Sequence, residues 1–521
     1  MVRDVTRGGF MVGGTWGDRC GRWVACFLKA ALTLFVLAFT FRLMVFMGSS
    51  VLVAPWGNPW RGPGSKELGW KEVTYVLNGE RLKSRSSLPL LLNVVKPSKA
   101  FIIVLDTVAD EQELTRSVKL SDNPYRGLVE GVKDRFLGFI KGDLGVDGKL
   151  VEVIVAPGVG RFRIGGLQGK YSEFKGEMAD FYSYVLLELS RRLPLEEEDF
   201  TLCLDLTHGI NYMPTLTYRA VKELLGVMAV KGRGVKPEER KVRFKAYNAE
   251  PFVKEGEELQ IHVVEDSLVA PNPCKEAISN NKKFLDPLNL APQECKKLSE
   301  EKLGLIRGAL NVDELNAFLG AVANGLPLAL YSFHPEVEKL EEFIDRIIKV
   351  YEGYISVCSE ENVFKVERHT SFTKDFNALV KAYATAKAVN LPRKSEVSLE
   401  DLHEVRKKFF SKLEVFKILI SRELKEVEER VKESKPEELQ GWRSLNELLQ
   451  PSKLGEPGVE NFDYRNFLAH SGLERNAVEV RLEKATLEEA QKQVRKLIML
   501  RYKEGLRPEI EGAACKGLQD C

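Results

Sequence analysis

The sequence has few of the residues that hold structural metal ions. It contains eight cysteines and six histidines in 521 residues, with no Cys-x-x-Cys pair and no histidine at zinc-finger spacing. We therefore predict no metal site. Two cysteine pairs, Cys274 with Cys295 and Cys515 with Cys521, are candidates for disulfides, and free thiols are at least as consistent with the pattern.

The sequence also lacks an excess of charge of either sign. Its 77 Lys and Arg residues nearly balance its 75 Asp and Glu residues, which leaves a net charge of +2. Any nucleic-acid site must therefore be a local basic surface. No Gly-x-Gly-x-x-Gly follows the first predicted strand and no P-loop is present, which disfavours ordinary dinucleotide or nucleoside triphosphate binding.

A long hydrophobic run is almost absent as well. Residues 23–46 are strongly apolar, but Lys29 and Arg42 interrupt them and leave an uncharged stretch of about 12 residues, against the roughly 20 of a spanning helix. We expect that residues 1–46 are a hydrophobic leader from a start codon assigned too early, with the functional chain beginning near Met44 or Met47. A membrane anchor is the alternative. We predict a cytoplasmic protein without stable membrane association.

The first large region alternates strands and helices. Short buried strands are predicted at 51–54, 101–105, 151–156, 200–206 and 242–247, and amphipathic helices at 125–140, 177–193 and 214–230. Such alternation is typical of a doubly wound, largely parallel sheet. We place this α/β domain at residues 48–265.

The rest of the chain has helical patterning. A helical connecting region is predicted over 266–390, with helices at 294–309, 312–323 and 335–354 and no strand signals. An all-helical domain is predicted over 391–521, with a long helix at 399–434 and shorter ones near 442–449, 464–470 and 486–502. Thr486 and Glu489 form a capping box for the last helix. The predicted fold class is α/β plus all-α.

Four loops of the α/β domain follow predicted strands and contain small or polar residues. Because ligands bind at the carboxyl ends of parallel strands, we expect these loops to form one ligand site. We call the edge of the sheet that the four loops form the rim. The glycines permit close backbone approach, the short polar side chains offer hydrogen bonds, and the tryptophan offers a surface for base stacking. Taken singly, each loop is better explained as a tight turn, and the coincidence of four such loops favours a ligand site. The candidate residues are Trp56, Asn58, Thr107, Gly158, Gly160, Thr207, His208, Gly209 and Asn211.

A second candidate site lies near the C-terminus. Metal-free RNA cleavage needs a base for the 2′-hydroxyl, a cation for the phosphorane and an acid for the leaving 5′-oxygen. His470 exchanges protons near neutral pH, Arg465 offers a planar cationic fork, and Asn466 orients either one. A helix-packing histidine beside a solvated arginine explains the same pattern.

The spacing of these residues points to a composite site. Residues five apart on a helix differ by about 140° in direction, so Arg465 and His470 do not share a face, whereas Asn466 and His470 do. Either Arg465 bends back from the first turn, or a second subunit contributes its own pair across a two-fold axis.

Two motifs together resemble a known family. The sequences Asp-Leu-Thr-His-Gly at 205–209 and Arg-Asn-Phe-Leu-Ala-His at 465–470 are similar to those of the CRISPR-associated CARF-HEPN ribonucleases of type III systems, the DxTHG-motif family. The resemblance implies a Rossmann-like N-terminal CARF domain and a C-terminal helical HEPN domain. By position, the rim residues would bind cyclic oligoadenylate, and Arg465, Asn466 and His470 would be catalytic.

The resemblance also implies an activity and its partners. A homodimer or higher homo-oligomer would bind cyclic tetra-adenylate as allosteric activator and cleave single-stranded RNA without a metal, in antiviral defence. Two alternatives are kept: a nucleotide-sensing regulator that does not cleave RNA, and a ring nuclease that degrades its own cyclic oligoadenylate. The hydrophobic leader departs from the family pattern, which begins close to the first strand.

Overall fold

A computed structural model describes most of the chain after the predicted leader. The described residues are 49–61, 67–120, 122–164, 170–232, 237–239, 241–252, 257–410, 414–434, 439–449, 461–483 and 494–519. The leader at 1–46 and the capping box of Thr486 and Glu489 lie outside them, so both stay predictions.

An eight-stranded sheet forms the centre of the N-terminal region, in the order β3-β2-β10-β9-β8-β1-β4-β5. Strand β4 pairs in parallel with both β1 and β5, and β9 pairs in parallel with β8. All five predicted strands are confirmed, as β1, β4, β5, β8 and β9. The strands are β1 (Ser49–Pro55), β2 (Val73–Leu77), β3 (Glu80–Ser84), β4 (Lys99–Leu105), β5 (Val151–Ala156), β6 (Gly160–Arg163), β7 (Tyr171–Lys175), β8 (Phe200–Asp205), β9 (Val242–Ala249) and β10 (Glu258–Leu268).

The helices that connect these strands bury their apolar faces. Phe181, Val185 and Leu189 recur every four residues and are fully buried, as an amphipathic helix requires. The three predicted helices are confirmed, as α3, α4 and α5. The helices of this region are α1 (Leu88–Val95), α2 (Glu111–Val118), α3 (Pro124–Gly142), α4 (Ala179–Arg192) and α5 (Met213–Met228).

The connecting region contains strands that we did not predict. Strands β12 and β13 extend the β6-β7 hairpin of the first domain into a four-stranded sheet, β12-β13-β7-β6. The signal was alternation: in β13, Phe364, Val366 and Arg368 are buried and the residues between them are less so. The elements are β11 (Leu285–Pro287), α6 (Pro292–Lys296), α7 (Leu303–Gly308), α8 (Val312–Asn324), α9 (Pro327–Ser332), α10 (Val337–Gly353), β12 (Ile355–Glu360), β13 (Val363–Arg368), β14 (Thr370–Phe372) and α11 (Lys374–Val389).

The C-terminal region is mainly helical but not all-helical. A sheet in the order β15-β18-β17-β16 is present. The prediction that the last helix continues to Tyr502 was wrong, because residues 498–502 form a strand. In this strand Ile498 and Leu500 are the buried residues. The elements are β15 (Val397–Ser398), α12 (Leu399–Val405), α13 (Glu414–Glu433), β16 (Arg443–Ser444), α14 (Leu445–Leu449), α15 (Tyr464–Ala469), β17 (Val478–Leu482), β18 (Ile498–Tyr502) and α16 (Arg507–Cys515).

The thiol states of three cysteines and the hydrophobicity of the helices bear on two further predictions. Cys274 and Cys295 are free thiols, so the disulfide considered for that pair is absent. Cys515 is disulfide-bonded, and Cys521, its predicted partner, lies outside the described residues. Among the helices that the structure describes, none has the length and hydrophobicity needed to cross a bilayer.

Candidate functional sites

The four loops predicted to form a ligand site follow four neighbouring strands, in the sheet order β8-β1-β4-β5. Hydrogen bonds connect the loops directly. The amide of Gly57 donates to the carbonyl of His208 (2.8 Å), and the amide of Gly158 donates to Oδ1 of Asp106 (2.8 Å). The loops therefore support one another in two pairs, the loop after β1 with the loop after β8, and the loop after β4 with the loop after β5.

Asp205 organises the loop after β8 from a buried position. Its carboxylate accepts the hydroxyls of Ser87 and Thr207, each at 2.6 Å, and the amide of Thr207 at 3.0 Å. The hydroxyl oxygen of Thr207 in turn accepts the amide of Ala249 (3.1 Å). Burial raises the pKa of Asp205. Thr207 thus has a structural role in shaping the loop, whatever further contact a ligand makes.

His208 is held against the wall of the same domain. Its ring stacks on Trp70 with 4.0 Å between centroids, and its Nε2 accepts the amide of Ser87 at 3.3 Å. Burial lowers the pKa of His208 to about 3. The imidazole is therefore neutral at physiological pH, and its Nε2 already has a hydrogen-bond donor within the protein.

We expect His208 to make the protein sensitive to acid. A folded pKa below the unfolded value of about 6.5 means that the unfolded state binds the proton first, so this contribution is complete above pH 6.5 and is lost as pH falls toward 3. The slope from this one proton is at most about 1.4 kcal/mol per pH unit. In His208→Gln, thermal unfolding from pH 7 to pH 4 should shift less than in the wild type; equal shifts would contradict the assignment.

Small residues are required at two points of the rim. A Cβ on Gly209 would lie 2.5 Å from Cγ of Pro214, and one on Gly158 would lie 2.7 Å from Cγ2 of Thr107.

Two further predicted residues lie at turns. Asn211 is exposed with φ of 51°, and Oδ1 of Asn58 accepts the amide of Trp60 at 3.1 Å.

Gly160 and Trp56 differ in how accessible they are. Gly160 begins β6 with φ of 142° and is exposed. Trp56 is 0% exposed and lies edge-on to Trp70 and Phe139. The structure therefore offers no free face of Trp56 for base stacking, which corrects that expectation. The indole is buried because it packs among the aromatic rings of this domain.

Arg368 belongs to this rim although the sequence places it in the connecting region. Its guanidinium pairs with Asp106 and donates to the carbonyl of Gly158 at 2.8 Å, with side chains 1% and 0% exposed in the ion pair. Burial lowers the pKa of Arg368, but Asp106, Tyr125 and Tyr351 together outweigh burial and the net shift is upward. One buried cation thus connects two rim loops to β13. No local motif marks it, because strand pairing alone brings it there.

The C-terminal candidate residues lie on and beside the short helix α15. Asp463 caps this helix by accepting the amides of Arg465 (2.7 Å) and Asn466 (3.3 Å). The side chains of Arg465 and Asn466 are both exposed. Arg465 lines a shallow open groove. The other described residues that line it are Asn461, Phe462, Asp463, Tyr464, Leu468 and Lys516.

We expect Asp463→Ala to loosen this helix. Loss of an N-cap side chain costs about 0.5–2 kcal/mol, and here it frees the first turn, which carries Arg465 and Asn466. Asp463→Asn keeps the acceptor and should retain most of the stability. Hydrogen exchange at the amides of residues 465–467 is the measurement: it should accelerate in the alanine variant and much less in the asparagine variant. Equal protection in all three proteins would contradict the capping role.

His470 ends the helix and faces a different side. Its Nδ1 lies 3.0 Å from Oε1 of Glu423 on α13, and the exposed fractions of the two side chains are 23% and 4%. The carboxylate of Glu423 raises the pKa of His470, and burial opposes that shift. Sequence reasoning missed Glu423, which lies in a long charged helix where nothing distinguishes it from its neighbours.

Arg465 and His470 lie near opposite ends of α15. Arg465 lies in the exposed first turn, and His470 is not among the described residues that line its groove. The composite site inferred from the spacing stays a prediction. Asn466, one turn before His470, has its carbonyl bonded to the His470 amide (2.9 Å).

Comparisons with known proteins cover both regions. Residues 51–251 match the family model described as the CARF domain of CRISPR system endoribonuclease Csx1, and residues 413–504 match the model of its HEPN domain. The CRISPR system endoribonuclease Csx1 of Methanocaldococcus jannaschii is 33% identical over 448 residues, which cover 82% of this chain and 86% of the relative. The chain belongs to the Csx1 family of CRISPR-associated endoribonucleases.

Membership of the Csx1 family confirms the resemblance drawn from the two motifs. Asp205 to Gly209 fall within the CARF match, and Arg465 to His470 fall within the HEPN match. The Rossmann-like and helical parts of the predicted fold class are confirmed with it. The matches define the enzyme class as an endoribonuclease, whereas the roles of the individual residues stay predictions.

Proposed function

We propose that this chain is an endoribonuclease that cleaves single-stranded RNA without a metal ion, and that cyclic oligoadenylate bound at the CARF rim activates it. The observation that carries the proposal is the pairing of His470 with Glu423 at the end of a capped helix that exposes Arg465. A histidine with an elevated pKa and an unpaired face supplies proton transfer, and an exposed guanidinium supplies charge for the phosphorane.

The proposed reaction is a transesterification within the RNA. The 2′-oxygen forms a bond to phosphorus while the bond to the 5′-oxygen breaks, which leaves a 2′,3′-cyclic phosphate. The proton of the 2′-hydroxyl passes to a neutral imidazole, and a protonated imidazole gives its proton to the 5′-oxygen. Because one chain offers one such histidine, we infer that the second comes from a second copy of the chain.

A homodimer would also bring together arginine and histidine side chains that point in different directions on one helix. Arg465 and His470 diverge by about 140° on one helix, whereas a two-fold axis between two such helices brings the arginine of one copy toward the histidine of the other. Val415 and Ile418 support this arrangement, since they lie one turn apart on α13 with 68% and 61% of their surface exposed. Their burial would place Glu423, on the same helix, close to the interface.

The activator site follows from the rim. Its backbone amides, its glycines and the exposed Asn211 fit a ligand with phosphates and several hydrogen-bonding edges, and cyclic tetra-adenylate has both. Activation then means that the ligand binds more tightly to the arrangement of subunits that completes the HEPN site. No described residue of the HEPN site has to contact the ligand.

The test is RNA cleavage with each cyclic oligoadenylate in the presence of EDTA. We expect cyclic tetra-adenylate to raise the cleavage rate of a single-stranded RNA, with 2′,3′-cyclic phosphate ends detected by mass spectrometry. Cleavage that requires a divalent cation, or that no cyclic oligoadenylate stimulates, would contradict the corresponding part of the proposal.

A further inference from the structure

One ring nitrogen of His470 is occupied by a carboxylate within the same chain. Oε1 of Glu423 lies 3.0 Å from Nδ1, and Glu423 is 4% exposed. A carboxylate at one imidazole nitrogen fixes which nitrogen carries the proton and which direction the ring faces. With Nδ1 beside Glu423, the ring nitrogen left for the substrate is Nε2, on a side chain that keeps 23% of its surface exposed.

The charges around His470 come from two segments. Helix α13 contributes Glu423 and Arg422, whose Nε lies 3.5 Å from the Glu423 carboxylate. The turn after α15 contributes Glu474 and Arg475. Both arginines lower the pKa of His470, but Glu423 outweighs them and the net shift is upward.

The neighbouring charges have other fixed partners. Glu474 accepts the amides of Asn476 and Ala477, at 2.9 and 2.8 Å, and Arg475 pairs with Glu426 at 3.2 Å. Glu423 is therefore the acidic group that forms the ion pair with the imidazole.

We propose that Glu423 is a positioning residue that holds Nδ1–H of His470, so that Nε2 faces the RNA and gives its proton to the leaving 5′-oxygen. This inference rests on the proposed ribonuclease function and deepens it by stating how Glu423 prepares the His470 that acts as the acid, while the His470 of the second copy acts as the base. In that role Nε2 loses one proton to the 5′-oxygen as the phosphorus–oxygen bond breaks, and Glu423 keeps its negative charge throughout, stabilising the imidazolium that precedes the transfer.

The test uses Glu423→Gln in the full-length chain, because glutamine keeps the size of the side chain and removes its charge. Two quantities are measured: the pKa of His470 by NMR with labelled histidine, and the pH dependence of kcat for RNA cleavage. We expect the pKa of His470 to fall and the alkaline limb of the kcat profile to move to lower pH by the same amount, about a tenfold loss of rate above the limb for each pH unit. KM for RNA should stay within about twofold.

Glu429→Gln is the matched control. Glu429 lies on the same helix, is 58% exposed and pairs with Lys425 at 3.4 Å, so the pH profile and the pKa of His470 should stay as in the wild type. A Glu423→Gln protein with an unchanged His470 pKa would overturn the proposal, and so would an equal loss of kcat at every pH, which is the result expected of a merely structural role.

The two proposals fail in different ways. If the wild-type protein cleaves no RNA under any condition, the ribonuclease proposal fails, while the NMR titration still reports whether Glu423 sets the pKa of His470. If the wild type cleaves RNA and Glu423→Gln shows the wild-type pH profile, only the assignment of Glu423 fails.

Discussion

His470→Ala should reduce RNA cleavage by about 10²–10⁴-fold, the range expected when a general acid or base is removed. The imidazole lies at the surface end of a short helix, so its loss creates no cavity in a core and the protein should remain folded. The measurement is single-turnover cleavage of a single-stranded RNA at saturating cyclic tetra-adenylate, alongside binding of the same ligand. Binding should be unchanged, because the CARF rim contains none of the HEPN residues.

A matched histidine provides the control for this variant. His262 lies on β10, is 59% exposed and pairs with Glu250 at 3.2 Å, so His262→Ala should keep full cleavage activity. Cleavage by His470→Ala within a few-fold of the wild type, with His262→Ala as reference, would remove His470 from the catalytic site.

Arg368→Met should destabilise the protein by about 3–5 kcal/mol, because it leaves the carboxylate of Asp106 buried without its cation. Trp56, Trp60 and Trp70 lie in the same domain and provide a fluorescence signal for urea unfolding. Adding Asp106→Asn to Arg368→Met should recover much of the loss, since removing both charges avoids the unpaired one.

An exposed ion pair in the α/β domain, which contains Asp106, is the reference for Arg368. Lys83 and Glu72 lie 3.3 Å apart with 67% and 48% of their side chains exposed, and Lys83→Met should change stability by less than about 1 kcal/mol. If Arg368→Met were as mild as Lys83→Met, the buried pair would not hold the rim loops to β13.

The parallel sheet could be predicted from local sequence, and the reason is physical. A strand covered on both faces, such as Val51 to Ala54, must be apolar throughout, and that pattern is visible without knowing its partners. The rim loops followed from the sheet, because the ends of neighbouring parallel strands lie together. The strands that were missed, such as Val478 to Leu482, are short and alternate buried and partly exposed residues, a weaker signal within charged sequence.

The missed site residues depend on distant contacts. Arg368 reaches Asp106 only because β13 pairs with β7, and Glu423 reaches His470 only because the fold brings α13 to the end of α15. Nothing within a few residues of either one encodes these contacts. His208 shows the converse: its motif was visible in the sequence, but its stacking on Trp70 and its lowered pKa needed the structure.

The most direct test of the account compares cleavage of single-stranded RNA in EDTA, with and without cyclic tetra-adenylate, by wild-type protein and His470→Ala. The account predicts cleavage by the wild type that the cyclic ligand stimulates, and almost none by the variant under either condition. Stimulated cleavage that survives in His470→Ala would contradict it.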